Sequence, residues 1–289
     1  MIEIYNKFRN LVNNLEITDL QREDAETKAN NVCKVLHKYY YGSEYNGSTK
    51  LIIGSLGKNT AIRPPSDVDV IFELPFAEKI RYDNYKYNGQ SSLLQDVKNI
   101  LEKTYSSTYI HGDGPVVVIE FDSYKVELNP SIKTSEGYFV PITKDDGKWQ
   151  LINPMAEKKE LDMWDLITRG NVKNLIKIVK RWKYYNNVPI KSLALELLVT
   201  NFLSTYKYKN ESFIYYDWML RDFFKFLLSC KNKKIKLPNS YNTIELGSQW
   251  EYKAKIAYQC AIDAIKYDKD GKKNLAIYEW KKLFGYYFY

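Results

Sequence analysis

Hydrophobic positions recur at helical spacing at the start of the chain and form strand-like runs after it. Residues 3–15 and about 18–40 carry apolar side chains every three or four positions, which predicts two opening helices. Thr18 is the predicted N-cap of the second helix, because Asp19 and Glu23 follow it in the first turn. Apolar, partly β-branched runs then predict strands, interrupted by a helix over about 90–105, at residues 51–53, 66–74, 116–121 and 124–130.

After Asn153-Pro154 the pattern contains only helices. Their apolar positions are Met163, Leu166 and Ile167 on the first, and then residues 172–182, 193–203, 213–228, about 248–268 and about 273–284. The sequence therefore predicts an α/β N-terminal lobe and an all-helical C-terminal lobe, with an active-site cleft between them. The predicted domains are residues 1–150, including the helical brace, and residues 151–289.

Two carboxylates lie on the strand predicted over 66–74. Successive strand side chains alternate between faces, so Asp67 and Asp69 point the same way with Val68 between them. The strand follows Gly54-Ser55, where a glycine lets the backbone approach an anion and the hydroxyl and amides donate to phosphate. This arrangement suits Mg²⁺ and a triphosphate.

A third acid, Glu127, lies on the strand predicted over 124–130, on the face opposite Val126 and Leu128. If this strand neighbours the first, at about 4.8 Å, the three carboxylates converge. Converging carboxylates repel each other by about 4 kcal/mol per close pair at an effective dielectric near 20, and a divalent cation removes that repulsion. Mg²⁺ prefers a few carboxylates together with phosphate oxygens and water.

A structural alternative stands beside the metal site. Asp67 could cap the turn after Pro65-Ser66, and Asp69 could pair with a lysine, as most isolated Asp-x-Asp sequences do. The preceding Gly54-Ser55 turn favours the phosphate interpretation. It is not a Walker loop, because no Gly-Lys-Ser/Thr closes it.

Composition restricts the class of protein. The chain has 289 residues, 45% hydrophobic and 27% charged, as in globular proteins, and contains no run of about 18 apolar residues that would predict a transmembrane helix. Three widely spaced cysteines and two histidines predict neither a disulfide framework nor a zinc site, and we expect a cytoplasmic protein. The net charge of +8 fits a polyphosphate substrate as well as nucleic acid.

Taken together, these motifs resemble the bacterial cGAS/DncV-like nucleotidyltransferases (CD-NTases) of the polymerase-β-like superfamily. The first motif runs from Gly54 to Asp69 and contains Gly-Ser, Gly-x-x-Thr and Ser-Asp-x-Asp. Val126–Pro130 is similar to the family's third-carboxylate strand. Weaker similarities lie at Gly137–Pro141, Trp149, Asn153-Pro154, Lys180–Lys183 and Ile190–Glu196. The family implies a mixed sheet flanked by helices in the first lobe.

The resemblance also implies roles for individual residues. Asp67, Asp69 and Glu127 would hold two Mg²⁺, with Mn²⁺ as a substitute. Gly54 and Ser55 would contact the donor triphosphate. Lys180 and Ser192 would reach the β- and γ-phosphates. From the residues alone, alternatives stay open: Lys177, Arg181 and Lys183 fit a phosphate contact as Lys180 does, although Lys183 is expected on a solvated helix face. Ser192 could be only the N-cap of the next helix. Leu193 stands where relatives often have a base-stacking aromatic residue.

The activity that the resemblance implies is a cyclic oligonucleotide synthase of bacterial anti-phage signalling, which joins nucleoside triphosphates and releases pyrophosphate. Its partners would be ATP or GTP and other nucleoside triphosphates, an effector protein activated by the product, and a regulatory protein. Neither a membrane nor nucleic acid is required. The alternatives are a nucleotidyltransferase that modifies RNA or protein, and a catalytically dead, basic nucleotide- or nucleic-acid-binding protein.

Overall fold

The structure is a computed structural model that describes residues 2–238 and 242–289. Within these residues the strands are β1 (Lys50–Ile52), β2 (Asp67–Glu73), β3 (Tyr109–Asp113), β4 (Val116–Glu120), β5 (Lys125–Lys133), β6 (Tyr138–Ile142), β7 (Lys148–Ile152), β8 (Lys234–Lys236) and β9 (Thr243–Glu245). The helices are α1 (Ile2–Leu15), α2 (Asp19–Tyr41), α3 (Gly54–Gly57), α4 (Phe76–Asp83), α5 (Gly89–Thr104), α6 (Pro154–Ile167), α7 (Asn171–Tyr185), α8 (Ser192–Thr205), α9 (Tyr216–Ser229), α10 (Glu251–Lys269) and α11 (Lys273–Phe284). None of the helices in the described ranges is both long and apolar enough to cross a bilayer.

The described chain forms two compact units. One contains Ile17–Asn59 and Pro65–Lys158, and the other contains residues 2–16, Thr60–Pro64 and the described part of Lys159–Tyr289. These units do not coincide with the predicted ranges 1–150 and 151–289, because α1 and the short segment Thr60–Pro64 pack with the helical part of the chain. The predicted domain ranges and the predicted cleft stay predictions.

The first unit is built on a mixed sheet. Its strand order is β1-β2-β5-β4-β3, and the hairpin of β6 and β7 joins it through β5. β2 and β5 run parallel, whereas the other pairs in this sheet are antiparallel. The inner face carries the buried residues Val68, Val70, Val126 and Leu128, and α2 and α5 pack on this side. The predicted α/β lobe with a mixed sheet flanked by helices is confirmed.

The second unit is almost entirely helical, and its core is rich in aromatic side chains. Phe8 of α1 is fully buried and contacts Trp280 and Phe288 edge-on, with ring centroids 5.1 and 5.0 Å apart. The helix predicted over 172–182 buries Trp182, which packs against Phe224 of α9. The predicted helical C-terminal region is therefore confirmed, and the opening helix α1 belongs to the same core.

A local signal in the sequence located the start of α2. Thr18 caps α2 as predicted: its hydroxyl accepts from the Gln21 amide at 3.1 Å, and the Gln21 side chain accepts from the Thr18 amide at 3.0 Å. On α6 the prediction of a helix is right, but Met163, Leu166 and Ile167 are exposed and Leu161 is the buried apolar residue.

Several elements carry too weak a pattern to be predicted. β3 contains a histidine and a glycine, and α4 has only eight residues, with Phe76 and Ile80 exposed. The hairpin of β6 and β7 and the small hairpin of β8 and β9 were not predicted either.

Candidate active site

Asp67 and Asp69 are fixed on β2, a strand whose other face is buried. The alternation along this strand is clear, since Val68 and Val70 are fully buried while the two aspartates are half-buried. Ser66 donates a hydrogen bond from its hydroxyl to Asp67 Oδ1 at 2.7 Å. The two carboxylates therefore share the outer face of the sheet, as the sequence predicts.

The third predicted acid lies beside them because β2 and β5 pair in parallel. Glu127 is directly opposite Asp69 in the register, and Lys125 is opposite Asp67. Neighbouring strands are about 4.8 Å apart, and directly opposed residues point to the same face. The two strands are therefore neighbours, and they pair in the register that brings the three carboxylates together.

The electrostatics of Glu127 report this crowding. The pKa of its carboxyl is raised to about 7, first by burial and then by the negative charges of Asp69, Asp67 and Asp113. Lys125 opposes the shift only weakly, since its ammonium group pairs with Glu120 at 3.0 Å. A proton or a cation thus stabilises this cluster.

Gly54 lies directly against the Asp69 carboxylate. Its φ is +60°, a left-handed conformation, and a Cβ at this position would stand 1.7 Å from Asp69 Oδ2. The backbones are tied together as well, because the Ile53 amide donates to the Asp69 carbonyl at 2.9 Å. A side chain larger than hydrogen would displace the acid, so glycine is required here by both space and conformation.

The donor chemistry of this cluster fits Mg²⁺. Three carboxylates on one rigid face are hard oxygen ligands, and burial together with their mutual repulsion raises the pKa of Glu127. Among the residues that the structure describes, no group of three His, Cys, Asp or Glu side chains is placed so that it could hold a metal ion by itself. Water and phosphate oxygens would therefore have to complete the ligand shell of a Mg²⁺ ion at these acids.

Lys180, a predicted phosphate contact, forms a buried ion pair within the helical unit. Its ammonium group contacts Glu196 Oε1 at 2.5 Å, Thr60 Oγ1 at 2.9 Å and the Thr60 carbonyl at 3.1 Å. The Thr60 hydroxyl donates to Glu196 at 2.8 Å. These three acceptors match the three donors of a lysine. The phosphate role of Lys180 stays a prediction, one that this geometry does not favour.

Ser192 is paired with a different lysine. Lys183 Nζ donates to Ser192 Oγ at 3.1 Å, and Ser192 is exposed. The N-cap of α8 is Lys191, and Ser192 is the first helical residue, so the alternative of Ser192 as a side-chain N-cap is wrong. Lys183 is likewise not simply a solvated side chain.

Sequence reasoning did not assign roles to Thr60, Glu196 or Asp113. Thr60 and Glu196 lie inside the motifs singled out above, but they are 136 residues apart and no local pattern links them. Asp113 lies at the end of β3, which was not predicted.

Comparison with known proteins agrees with this geometry. A family model described as the Second Messenger Oligonucleotide or Dinucleotide Synthetase (SMODS) domain matches residues 2–163. A probable cyclic nucleotide synthase of Bacillus cereus is 25% identical over 295 residues, which cover 86% of this chain and 83% of that protein.

Solved structures share the fold. Vibrio cholerae DncV cyclic AMP-GMP synthase, bound to the linear intermediate pppA(3′,5′)pG, matches with a TM-score of 0.74 at 13% identity, over 99% of this chain and 97% of that one. Escherichia coli CdnC, in its complex with HORMA-deltaN, matches with a TM-score of 0.68 at 16% identity, over 97% and 96% of the two chains.

We expect Glu127→Gln to stabilise the metal-free protein at pH 8. The Glu127 pKa is about 7 when folded and near 4.5 when unfolded, so the folded state binds more protons between these values. The stability that the protonated Glu127 carboxyl contributes to the folded state is fully present below about pH 4.5 and is lost as the pH rises through 7. The neutral isostere avoids this loss, which we expect to be of the order of 1–3 kcal/mol.

Chemical unfolding in EDTA at pH 5 and pH 8 measures this effect. The gain should be larger at pH 8. Glu120→Gln is the matched control, because Glu120 lies on the neighbouring strand with its carboxylate paired to Lys125. Equal effects of the two substitutions would contradict the repulsion argument.

Proposed function

The chain belongs to the SMODS family, the second messenger oligonucleotide or dinucleotide synthetases, and we propose that it joins nucleoside triphosphates into a cyclic oligonucleotide. The observation that carries this proposal is the register of β2 and β5, which brings Glu127 opposite Asp69 beside the Gly54 turn. The names of the relatives, a cyclic nucleotide synthase and a cyclic AMP-GMP synthase, support the same chemistry.

The proposed reaction is a nucleotidyl transfer. A ribose 2′- or 3′-hydroxyl oxygen attacks the α-phosphorus of a nucleoside triphosphate and gives up its proton to water. The new P–O bond forms, and the bond from the α-phosphorus to the bridging oxygen of the β-phosphate breaks, so that pyrophosphate leaves. A last transfer within the linear product closes the ring of a cyclic di- or trinucleotide. Mg²⁺, or Mn²⁺ in its place, would lower the pKa of the attacking hydroxyl and neutralise the charge on pyrophosphate when bound.

The residues of the chain have separate parts in this reaction. Asp67, Asp69 and Glu127 would hold two such ions and orient the attacking hydroxyl. Gly54 allows the triphosphate to approach Asp69, and the Ser55 hydroxyl is proposed to donate to a phosphate oxygen. The charge cluster that raises the Glu127 pKa in the metal-free protein becomes a favourable site for a divalent cation.

We further propose that Lys183, rather than Lys180, contacts the triphosphate together with Ser192. The Lys183 and Ser192 side chains already lie within 3.1 Å of each other at the start of α8, whereas Lys180 is held by Glu196 and Thr60. An ammonium group beside a hydroxyl at the start of a helix offers three kinds of donor to a phosphate.

The proposed setting is anti-phage signalling in the bacterial cytoplasm, where the product would activate an effector protein. The complex of E. coli CdnC with HORMA-deltaN supports control of this chain by a regulatory protein as well.

The acid variant tests the reaction. We expect purified protein, incubated with all four nucleoside triphosphates and Mg²⁺ or Mn²⁺, to release pyrophosphate and form a phosphatase-resistant product that mass spectrometry identifies. Asp67→Asn combined with Asp69→Asn should abolish the product and leave the circular dichroism spectrum unchanged. Full activity of this variant would refute the metal site. If RNA or protein is added with radiolabelled nucleoside triphosphates and becomes the only labelled product, the result favours the modifying enzyme.

The glycine contact is tested by a matched pair of substitutions. Gly54→Ala and Gly42→Ala both place a Cβ on a left-handed backbone, with φ of +60° and +63°, but Gly42 has no atom within 4 Å of that Cβ. We expect each to lower stability by about 1 kcal/mol. Only Gly54→Ala should lower kcat, by about 100-fold or more, because it displaces Asp69. Equal activity of the two variants would show that the contact is not needed.

The lysine assignment is tested by binding and stability together. Lys183→Ala should weaken ATP or GTP binding about tenfold in calorimetry, with an unchanged melting temperature. Lys225→Ala, an exposed lysine on α9, is the control and should change neither. Lys180→Met leaves Glu196 buried without its ammonium partner and should lower stability by about 3–5 kcal/mol. A stable Lys180→Met protein that no longer binds nucleotide would show that Lys180 contacts the triphosphate.

A further inference from the structure

The edge strand β3 continues the face of the sheet that carries the acids. His111 is opposite Val118 on β4, Val118 is opposite Glu127 on β5, and Glu127 is opposite Asp69 on β2. Directly opposed residues share a face, so these four side chains form one row across the sheet. Tyr109 begins the adjacent row. It is opposite Glu120 on β4, Glu120 is opposite Lys125 on β5, and Lys125 is opposite Asp67 on β2.

Two aromatic rings stack on this face of β3. The rings of Tyr109 and His111 lie 4.9 Å apart between centroids and are inclined by 19°. Ile110, between them in sequence, is buried in the core, so the pair points to the outer face. The Tyr109 side chain is 66% exposed, which leaves much of its ring accessible while the stack with His111 fixes its orientation.

The two nitrogens of the His111 ring differ in their surroundings. The Nδ1 atom is buried and, among the described residues, has no hydrogen-bond partner. Nε2 is therefore the ring nitrogen left to meet a ligand, next to a flat aromatic surface.

The spacing between the acids and the rings matches a nucleoside. Two strand steps separate Glu127 from His111, roughly 10 Å, about the length of a purine nucleoside from its ribose hydroxyl to the far edge of the base. The intervening side chain is the apolar Val118.

The topology also assigns the two sides of the site to two different nucleotides. Gly54, the proposed triphosphate contact, follows β1 on one side of β2, whereas β4 and β3 lie on the other side of β5. A donor triphosphate at the β1 side leaves the β4 and β3 side for the nucleotide whose hydroxyl attacks.

We propose that Tyr109 and His111 form the base-binding platform of the acceptor nucleotide, an inference that rests on the proposed function. The base stacks on the exposed face of Tyr109, and His111 Nε2 forms a hydrogen bond with the base or ribose. Stacking on an aromatic ring contributes affinity for every base, while the hydrogen bond at Nε2 discriminates between bases with and without a matching group.

Steady-state kinetics of the full chain tests the platform. Tyr109→Ala should raise the KM of one nucleoside triphosphate about tenfold with kcat nearly unchanged, as expected for a lost stacking contact. Tyr109→Phe should restore the KM, and Tyr87→Ala, another exposed tyrosine of the same unit, should have no effect. His111→Phe should keep the stacking and change the ratio of kcat/KM between ATP and GTP. Wild-type kinetics for both Tyr109→Ala and His111→Phe would overturn the proposal.

Photolabelling separates this proposal from the proposed function. With 8-azido-ATP or 8-azido-GTP, the label should map to the peptide that contains residues 109–113, and excess unlabelled nucleotide should abolish it. Label at β3 without any oligonucleotide product would refute the synthase function and retain the base site. Product formation with no label at β3 would overturn the platform and retain the synthase.

Discussion

The parallel pairing of β2 with β5 is the constraint on which the candidate site depends. It places Glu127 directly opposite Asp69, with Asp67 two residues before Asp69 on the same face of β2. A shift of this register by one residue would turn Glu127 toward the core and bring Val126 or Leu128 to the acids. The buried residues on the inner face, Val68 and Val126 among them, hold the register and therefore the chemistry.

That arrangement is electrostatically unfavourable in the metal-free protein. Burial and three neighbouring carboxylates raise the pKa of Glu127 to about 7, while the ammonium group of Lys125, whose charge lowers that pKa, pairs with Glu120. The proposed divalent cation would remove the repulsion between the carboxylates. The backbone of Gly54 lies so close to the Asp69 carboxylate that no side chain fits between them.

Two lysines of the helical unit have different partners. Lys180 is buried, and with Glu196 and Thr60 it joins α7, α8 and the segment Thr60–Pro64 within that unit. Lys183, one turn further along α7, is the lysine whose side chain reaches Ser192. Two lysines three residues apart look equivalent in a helical pattern, and only the structure shows that their burial and partners differ.

The sequence by itself determined the class of fold and the central acids. Alternation along β2, the β-branched run of β4, the Thr18 N-cap and the apolar spacing of the helices are local properties, so they can be read without a structure. The Asp67, Asp69 and Gly54-Ser55 motif is local too, and Glu127 was found because its strand alternates in the same way. The tertiary structure decided what depends on distant partners: the parallel register that opposes Glu127 to Asp69, the burial of Lys180 against Glu196, the pairing of Lys183 with Ser192, and the position of the Tyr109 and His111 rings on the outer face. Residues far apart in the chain meet only when the whole domain folds, and no spacing within the sequence encodes those distances.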